Sequence, residues 1–553
     1  MSLASIPSNG KVAVIGAGVS GLSLAYFLSK LRPDVNIEIF EKESRVGGWI
    51  KSENLQIGSG SQTQKLIFEK GPRTLRGVSP GTLLIVDILK QLNKAAEIEV
   101  ITKTSPANKK YILSESRGIL QVPDSIGSFF KFLFNSGLFN SQLVFGILKE
   151  PFRKKGPAGD ESIDSFFLRR FGTGVLTNNV VSAVMHGIVA GDTAHLSINT
   201  MFPKLKQLEQ EHGSIIRGMV ARAWASRKKA QEVLADENVP KALQLYEKYI
   251  SPEAHLDKMS ISLKKYPMIR LNDGLEGFPA SVYEYLAQQK KVNFNFNSDI
   301  VALDPEKGSI TFKNSSTAVF DHINTSTSAN VLTKILPKTS AYDEVKRSLA
   351  SIPYVSVFLV NIYTPSGKLI PKNNHGFGFL VPKLSGNIDS NPDLLLGVIF
   401  DSDVEKNSVQ MSTFATSPHI NEGYSKITLM MGGHYYNDFS IPSNSRNLKI
   451  VKGLLSKYLD IDIDNYNFIL RDEATLDDKK IGLLTENDIL ISYNLHEKCI
   501  PQYTVGYNEA KETTLGVLEK LNSKLSFGGT LFGAGIGVPD AVSNGLEIAL
   551  KLK

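Results

Sequence analysis

The segment that most constrains how this chain can fold is 11–29, KVAVIGAGVSGLSLAYFLS. Residues 12–15 form a β-branched apolar run, which is typical of a strand buried on both faces. Gly16, Gly18 and Gly21 follow as GxGxxG, and the apolar residues after them recur at helical spacing. In such a unit the glycines permit a tight turn, a close approach of backbone amides to a pyrophosphate, and close packing of helix on strand. The segment therefore predicts a strand, turn and helix that hold a dinucleotide.

An acidic residue follows at the distance that such a unit requires. A second apolar run, 37–40, leads to Glu41, which lies 41 − 21 = 20 residues after the last glycine. A carboxylate at this place accepts hydrogen bonds from ribose hydroxyls, and no basic residue replaces it. Glycines also mark ordinary turns, but the ordered set of strand, glycines, helix, strand and acid favours a nucleotide site. The residues predicted to bind it are Gly16, Gly18, Val19, Ser20, Gly21, Glu41 and Lys42.

The residues after Glu41 indicate which dinucleotide is bound. Arg45, Gly47 and Gly48 are followed by Trp49 in the segment RVGGW. This segment resembles the RxGG signature that continues the fingerprint in glutathione-reductase-like flavoproteins, especially in the flavin amine oxidase superfamily. The resemblance implies that FAD is the cofactor, that it is held non-covalently, and that these four residues contact it. The alternative is a glycine turn with a solvated arginine.

Length and charge limit the classes of protein and partner. A chain of 553 residues exceeds what one hydrophobic core usually supports, so two or three domains are expected. The formal charge of +7, from 62 basic and 55 acidic residues, suits an anionic membrane surface or a carboxylate-bearing substrate. It is too small to indicate nucleic acid binding. No uninterrupted apolar run reaches the roughly 18 to 20 residues that a spanning helix needs.

Cysteine and histidine usage indicates neither a disulfide nor a metal site. Cys499 is the only cysteine, so no intrachain disulfide and no cysteine zinc site are expected. His186 has no second His or acid at metal spacing and is interpreted as a core or rim residue, and His375 as a solvated residue in a turn. The first eleven residues are too short for a secretory signal or a long transit peptide, so any organelle address is expected within the folded protein.

Four further blocks carry a more specific resemblance. They are FEKGPRTL at 68–75, GFGFLVP at 376–382, LLGVIFDS at 395–402 and CIPQYTVGY at 499–507. Together with RVGGWI they are similar to the mitochondrial, oxygen-dependent protoporphyrinogen oxidases, with a fungal character, and they run through nearly the whole chain. The resemblance implies oxidation of protoporphyrinogen IX to protoporphyrin IX in heme biosynthesis. Six electrons would leave as three hydrides passed to flavin N5, and molecular oxygen would reoxidise the flavin to give hydrogen peroxide.

The same resemblance implies further cofactor contacts. Residues 71–74 of FEKGPRTL are assigned to the cofactor, and LNDGLEGFP at 271–279 resembles a segment that the superfamily places against the flavin, with Asp273 in place of its first glycine. The family's backbone contacts adenine at the position of Ile300. The end of the chain, SFGGTLFGAGIGVPDAV, has a strand, a glycine loop and a helix whose first turn favours Pro539, so it offers backbone donors to an anion again. The residues assigned to the cofactor in this way are Gly71, Pro72, Arg73, Thr74, Ile300, Gly533, Val538, Pro539 and Asp540.

Three residues are assigned to the porphyrinogen by the resemblance. Lys110 stands where the family has an arginine that pairs with a propionate, and a lysine keeps the charge but loses the two-bonded fork. Gly187, in SAVMHGIVAGD, matches a glycine whose backbone approaches the macrocycle. Phe400 lies where the family has an aromatic facing the macrocycle. The alternatives are a solvated lysine, a helix-packing glycine and a core phenylalanine. No side chain stands out as a catalytic base.

Residues 126–148 are rich in Phe and Leu but interrupted by polar residues, and the basic run 153–155 follows. Two short amphipathic helices in a membrane interface have this composition, as do helices of an ordinary core. Because the family is monotopic, we expect membrane contact. The resemblance further implies a peripheral location on the mitochondrial inner membrane, a homodimer, and a ferrochelatase as a partner.

The expected architecture is α/β, with a glutathione-reductase-like FAD-binding Rossmann domain, an antiparallel-sheet substrate domain and a helical membrane-binding insertion. Residues 231–264, rich in Lys, Gln and Glu, are expected to form a surface insertion. The expected FAD-binding parts are 1–95, 265–335 and 496–553, the substrate parts 96–122 and 336–495, and the helical part 123–230.

Two other functions share part of this pattern. Another flavin oxidase, acting on amines or desaturating a polyene, would share the N-terminal motifs but not the blocks at 68, 376 and 499 together. A carrier protein of the same fold without FAD, like the GDP-dissociation inhibitors, would be colourless after purification.

Overall fold

Among the described residues, short strands and helices alternate along the chain, except that 141–263 contains helices and no strand. The computed structural model describes residues 6–58, 63–124, 128, 132, 134–232, 240–383, 391–413, 423–471 and 480–553. Its strands are β1 Lys11–Ile15, β2 Asn36–Phe40, β3 Ser52–Ile57, β4 Gln64–Glu69, β5 Leu75–Arg76, β6 Ile98–Ile101, β7 Lys110–Ser114, β8 Gly118–Gln121, β9 Met268–Leu271, β10 Val292–Asn295, β11 Ile300–Asp304, β12 Ser309–Phe312, β13 Thr317–Val319, β14 His322–Thr325, β15 Tyr354–Thr364, β16 Gly378–Leu380, β17 Leu395–Ile399, β18 Val409–Gln410, β19 Ser425–Gly433, β20 Asn467–Arg471, β21 Lys480–Ile481, β22 Asp488–Pro501 and β23 Leu525–Phe527.

The α-helices fall mainly between the sheets and in one continuous stretch in the first half of the chain. They are α1 Val19–Leu31, α2 Pro80–Gln91, α3 Ser141–Lys149, α4 Ile163–Phe171, α5 Ser182–Val189, α6 Ile198–Met201, α7 Pro203–His212, α8 Ile215–Glu232, α9 Lys241–Tyr249, α10 Leu256–Leu263, α11 Gly277–Ala287, α12 Ala329–Ile335, α13 Asp343–Ala350, α14 Asp401–Lys406, α15 Asn444–Leu459, α16 Tyr507–Lys520 and α17 Val538–Lys551.

The β-branched run after Lys11 forms the centre of a parallel sheet. The strand order is β10-β2-β1-β14-β23, and every neighbouring pair is parallel. Val12 and Val14 are fully buried, as expected for a strand covered on both faces. The chain leaves β1 through α1 to β2 on one side, while β14 lies on the other side. This reversal of strand order opens a crevice at the carboxyl end of β1, where doubly wound sheets bind ligands.

The predicted substrate sheet is present and has eight strands, in the order β20-β22-β15-β19-β17-β16-β7-β8. In the series β22-β15-β19-β17-β16 each strand is antiparallel to the next. This arrangement confirms the antiparallel sheet predicted for the runs that begin at 355, 376, 395 and 427. Two pairs, β16 with β7 and β20 with β22, are parallel. The sheet therefore joins residues 110–121 to a region more than 200 positions later in the chain.

The two faces of this sheet carry different residues because neighbouring positions of a strand point to opposite sides. One face is apolar and packs on α15, through Val360 and Phe379 against Leu454 and Leu455. The opposite face carries Lys110, Leu380, Ile399, Thr428, Asn361 and Asn494, which occupy paired positions across the strands. This second face is turned towards the segment that follows β4 and towards α5.

The helical part is held by a buried network of charges. Arg170, Glu150 and Glu209 are fully buried, and Arg170 Nη1 lies 3.2 Å from Glu209 Oε1 while its other nitrogens bind Glu150. Burial alone would raise the pKa of Glu150, but hydrogen bonds from the Ser214 hydroxyl, the Ile215 amide and Arg170 lower it below its ordinary value. Separating these residues would leave a buried charge without a partner, which is strongly unfavourable. The network therefore holds α3, α4, α7 and α8 in place relative to one another.

The expectation of a surface insertion at 231–264 is wrong for residues 240–264, which include α9 and α10. Leu243 and Tyr246 of α9 and Leu256 of α10 are buried in the core that also contains α1 and α2. Tyr246 Oη donates to Asp87 Oδ2 at 2.6 Å and accepts from Gln91 Nε2 at 3.0 Å. The charged residues occupy the outer faces of two amphipathic helices, so composition alone hid the apolar stripe.

The membrane-facing prediction falls partly outside the described residues. Most of the first expected amphipathic helix, at 126–133, lies there, whereas the second corresponds to α3. Among the residues that the structure describes, no helix is both long enough and apolar enough to cross a bilayer.

Candidate functional site

The turn between β1 and α1 accepts only glycine at two positions. Gly16 has a φ of +102°, and a Cβ there would lie 2.5 Å from the hydroxyl oxygen of Ser326. A Cβ on Gly21 would lie 2.0 Å from the carbonyl oxygen of Gly16. The first turn of α1 therefore packs directly on the end of β1. Its N-cap is Gly18, which brings no side chain to the free amides of the helix.

The RVGG turn is held by its own arginine. The Arg45 guanidinium donates to the carbonyl oxygens of Val46, Gly48 and Ile50, at 2.9, 2.5 and 3.2 Å. Gly47 and Gly48 both have positive φ, of +106° and +58°. Gly47 also forms a short parallel bridge with Gly18. The arginine thus shapes the turn beside the N-terminus of α1, and the alternative of a solvated arginine does not hold.

The predicted ribose-binding acid lies at the carboxyl edge of the parallel sheet. Glu41 follows β2, and its carboxylate accepts from the Ala17 amide (2.8 Å) and the Glu43 amide (2.9 Å). The Ser298 amide donates to the Glu41 carbonyl oxygen at 2.8 Å, which brings Ile300 at the start of β11 to the same edge. The two residues assigned to the adenosine half of a dinucleotide therefore lie together.

The C-terminal glycine loop leads into the N-terminus of α17, as the first glycine turn leads into the N-terminus of α1. Val538 and Pro539 are the first residues of α17, and Asp540 Oδ2 accepts from the N-cap amide of Gly537 at 3.1 Å. A Cβ on Gly533 would lie 2.6 Å from the carbonyl oxygen four residues earlier. The loop is therefore as closely packed as the one at the start of the chain, and α17 packs along α1.

The residues present fit an anionic dinucleotide. The N-termini of α1 and α17 both have a glycine N-cap, so their free amides have partial positive charge and no side-chain cap. Ser20 is buried, and among the described residues its Oγ has no hydrogen-bond partner. Val19 beside it is half-buried and Lys42 is exposed. A diphosphate between the two helices would satisfy these donors, with Glu41 left for a ribose.

The FEKGPRT segment is held by polar side chains of the large sheet. Arg73 Nη1 lies 2.6 Å from Asp401 Oδ1, and both side chains are nearly buried. Asp401 Oδ2 accepts from the Thr428 hydroxyl at 2.7 Å. Asn361 Nδ2 donates to the Glu69 carbonyl oxygen at 3.2 Å. Sequence reasoning assigned Arg73 to the cofactor and missed Asp401, which lies inside the LLGVIFDS block.

Strand β22 contributes a second row of contacts that sequence reasoning also missed. Asn494 Nδ2 donates to the Lys70 carbonyl oxygen at 3.1 Å, and His496 Nε2 binds the same oxygen. Lys70 Nζ donates to Ser492 Oγ at 2.5 Å and lies 3.1 Å from Glu53 Oε2. Burial lowers the pKa of Lys70. The signal was present in the sequence, because polar residues at every second position of a strand share one face.

The rest of the assigned flavin segment is close-packed but partly open to solvent. A Cβ on Gly71 would lie 2.1 Å from the Trp49 carbonyl oxygen. Pro72 is exposed and Thr74 is half-buried. The Trp49 ring is 51% exposed and stands edge-on to the His496 ring, with 5.2 Å between centroids. This side of the segment is free to contact a ligand.

Two of the three residues assigned to the porphyrinogen lie at one face of the substrate sheet. Lys110, at the exposed start of β7, pairs with Gly378, which pairs in turn with Ile399. Leu380 lies on this face too, and a Cβ on Gly187 would lie 2.7 Å from its Cδ2. Lys110 and Gly187 are thus placed on the sheet and helix that border one surface.

Helix α5 exposes an apolar stripe at this surface. Val184 and Ile188 are 37% and 48% exposed, and Gly187 between them is exposed as well. Residues three and four apart share one face of a helix. The glycine leaves this stripe flat, so that a planar apolar ligand could lie on it.

The structure corrects the placement of Phe400. Its side chain is fully buried and packs on Phe379, with 6.2 Å between ring centroids, in the core next to α15. Because side chains alternate along a strand, Ile399 and not Phe400 lies on the face with Lys110. The alternative interpretation, a core phenylalanine, describes this residue.

The remaining candidate side chains are buried or paired. His186 is buried, with its Nδ1 2.7 Å from Val381 O and its Nε2 3.1 Å from His434 Nε2, and burial lowers its pKa to about 4. His375 is not simply solvated, because its Nδ1 lies 3.0 Å from the Asp403 carboxylate. Burial raises the pKa of Cys499 to about 11, so its thiol is unreactive.

Comparison with known proteins gives the family. The sequence pattern of the family "Flavin containing amine oxidoreductase" matches residues 19–468. Protoporphyrinogen oxidase of Saccharomyces cerevisiae is 36% identical, over 100% of this chain and 99% of its own length. The chain belongs to the flavin-containing amine oxidoreductases, among the protoporphyrinogen oxidases. The human protoporphyrinogen oxidase is 25% identical over 98% of both chains.

Solved structures show the same fold at low sequence identity. A protein of Exiguobacterium sp. 255-15 superimposes with a TM-score of 0.65 over 99% of both chains, at 15% identity. The cyclohexylamine oxidase of Brevibacterium oxydans gives a TM-score of 0.55 over 99% of both chains, at 12% identity. The predicted fold class, recognised first from GxGxxG and RxGG, is confirmed, and a flavin cofactor follows from membership of this family.

Replacing Gly21 with alanine should abolish flavin binding. The added Cβ would meet the Gly16 carbonyl oxygen at 2.0 Å, so the first turn of α1 would have to move away from the glycine turn. Gly453→Ala is the matched control, since a Cβ there meets nothing within 4 Å. The measurement is the flavin content of the purified proteins, by visible absorbance. A Gly21→Ala protein with full flavin content would contradict this account of the turn.

Proposed function

We propose that this protein is an FAD-dependent oxidase that converts protoporphyrinogen IX to protoporphyrin IX with molecular oxygen. One observation carries the proposal. The segment assigned to the flavin is bound, through Arg73 and Asp401, to the same sheet face that carries Lys110 and borders Gly187. A flavin and a flat, carboxylate-bearing substrate would therefore meet over this face.

The residues that would hold FAD divide into two groups. The N-termini of α1 and α17 would bind the diphosphate, and Glu41 would accept from a ribose hydroxyl. Bound FAD would supply the redox chemistry, accepting two electrons at a time from the substrate and passing them to oxygen. Arg45 and Arg73 act on the protein itself, because both guanidiniums are engaged by protein oxygens. We expect the cofactor to be bound non-covalently.

The surface next to the flavin segment would orient the porphyrinogen by shape and charge. Gly187, Leu380 and Ile399 give a flat apolar surface, and Lys110 places a positive charge at its edge. From Lys110 to Thr428 the paired row crosses three strand spacings, roughly 14 Å. The residues on this surface bind and orient, and the protein needs no nucleophile because aromatisation of the macrocycle drives the oxidation.

The direct test supplies FAD-loaded protein with protoporphyrinogen and oxygen. We expect fluorescent protoporphyrin to form well above the spontaneous rate, with three hydrogen peroxide molecules for each porphyrin. Formation at the spontaneous rate would contradict the proposal. Colourless purified protein that takes up no FAD would instead favour the carrier alternative.

Lys110→Ala should raise the apparent KM for the porphyrinogen about two- to fivefold, because an exposed ion pair contributes up to about 1 kcal/mol. Flavin content should not change. Lys110→Arg should keep or lower KM, since a guanidinium binds a carboxylate through two bonds. The control is Lys449→Ala. Lys449 is exposed and lies on α15, which covers the apolar face of the large sheet, away from Lys110. Loss of flavin from Lys110→Ala would refute the assignment to the substrate.

An apolar helical surface, formed by residues of α3, α8 and the turn 150–152, is proposed to contact a membrane. Its members, Phe145, Leu148, Phe152, Met219, Val220 and Trp224, are 49–82% exposed. The Arg217 guanidinium stands over the Phe152 ring, 5.9 Å from the centroid, and Lys154 and Lys155 are exposed nearby in the chain. Aromatic residues flanked by basic ones suit an interface of anionic lipid.

Phe152→Glu and Trp224→Glu should each lower binding to vesicles of phosphatidylcholine and anionic phospholipid at least about tenfold. Each change removes a large apolar area that the lipid would bury and adds a charge of the same sign as the lipid. Leu483→Glu, at a residue that is 70% exposed elsewhere, is the control. Co-sedimentation with vesicles measures the effect. Unchanged sedimentation of both variants would place the membrane contact elsewhere.

We further propose attachment to the mitochondrial inner membrane, a homodimer, and a ferrochelatase as a partner. The family resemblance supports these three statements. Light scattering of the detergent-purified protein tests the dimer, and a monomer mass would exclude it.

A further inference from the structure

Three side chains hold three consecutive carbonyl groups of the C-terminal glycine loop. The donor and acceptor pairs are Tyr503 Oη to Thr530 O (2.6 Å), Tyr507 Oη to Leu531 O (2.5 Å) and Lys511 Nζ to Phe532 O (2.9 Å). The donors are spaced four residues apart, and the acceptors follow one another. We name these three side chains the loop clamp.

The local fold explains why the donors line up. Tyr507 is the first residue of α16, and Lys511 follows one turn later on the same face. Gly506, with a φ of +90°, turns the chain into the helix, so that Tyr503 stacks on Tyr507 with 4.4 Å between ring centroids. Both tyrosines are buried. Burial raises the pKa of both hydroxyls, so they remain donors at neutral pH.

The opposite side of the loop offers unpaired donors. Residues 529–532 form a hydrogen-bonded turn, and among the residues that the structure describes the backbone amides of 534–536 donate to no other group. Carbonyl groups that all point to one side leave the amides to point to the other, as in a single helical turn. Gly529, with a φ of +72°, begins this turn. Successive amides in such a turn form a concave site for negative charge.

We propose that Tyr503, Tyr507 and Lys511 are positioning residues that fix these amides towards the bound flavin cofactor and thereby set its affinity and reduction potential. The inference rests on the proposed function in taking FAD as the ligand. A reduced flavin carries more negative charge than the oxidised form, so fixed donors favour reduction. Without the clamp, the loop could rotate its amides away from the cofactor. This gives the Tyr503 and Tyr507 of CIPQYTVGY a physical role.

The test uses Tyr503→Phe and Tyr507→Phe, which keep the stacked rings and remove one hydrogen bond each. For each variant we expect the Kd of FAD to rise about fivefold, the effect of one lost hydrogen bond. The midpoint potential of the bound flavin should become more negative. Kd is measured by fluorescence titration of the apoprotein, and the potential by equilibration with a redox dye.

A second pair of variants keeps the test independent of folding. Lys511→Met should raise the Kd of FAD, and Lys511→Arg should restore it, because a guanidinium also donates to a carbonyl. Tyr342→Phe is the control: Tyr342 is buried in the same apolar cluster, but its hydroxyl donates to Glu306 at 3.2 Å. It should destabilise the protein as the other Tyr→Phe changes do, without altering the Kd or the potential of FAD.

Wild-type Kd and potential in both Tyr503→Phe and Tyr507→Phe would overturn the inference and leave the proposed oxidase intact. A wild-type protein that binds FAD but does not oxidise protoporphyrinogen would refute the proposed substrate. The clamp would then still be supported if the variants changed FAD affinity.

Discussion

The close packing of α17 and of the C-terminal glycine loop on α1 is the contact on which the rest of the structure depends. A Cβ on Gly545 of α17 would lie 2.9 Å from the Leu24 amide nitrogen of α1, and a Cβ on Gly528 of the loop would lie 2.8 Å from Ser20 Oγ. Each helix begins at a glycine N-cap that brings no side chain to its free amides, so both N-termini offer donors to an anion. The glycines permit the close packing, and the free amides favour a dinucleotide diphosphate. Ligand binding should therefore stabilise the whole FAD-binding domain.

The large sheet connects this site to a second ligand surface because its two faces differ in chemistry. One face is apolar and buried under α15, so it fixes the sheet as a rigid layer. The other carries Asn361 and Asn494, which donate to carbonyl oxygens of the FEKGPRT segment, and Thr428, which donates to Asp401, the partner of Arg73. The segment assigned to the flavin and the surface assigned to the substrate are thus parts of one packed unit. A substitution at Arg73 should therefore alter the binding of both the flavin and the substrate.

The sequence predicted the fold well where a local rule has one structural solution. GxGxxG with Glu41 at its required distance predicts β1, α1 and β2, and the β-branched and aromatic content of four runs predicts the antiparallel part of the large sheet. It failed where the outcome depends on long-range packing. The family resemblance assigns Phe400 to the substrate, but its side chain is buried in the core and Ile399 lies on the open face, because neighbouring residues of a strand point to opposite sides. The many charged residues on the outer faces of α9 and α10 gave no indication that the inner faces of these helices belong to the core. The Arg73–Asp401 pair joins residues 328 positions apart, and no local pattern announces it.

The central claim, that one site reduces a flavin with a porphyrinogen, is tested most directly by anaerobic titration. FAD-loaded protein is mixed with increasing protoporphyrinogen without oxygen, and the loss of the oxidised flavin band is followed with the gain of porphyrin absorbance. The account predicts that each porphyrinogen reduces three flavins, since six electrons leave in pairs. A flavin band that persists with excess porphyrinogen would contradict it.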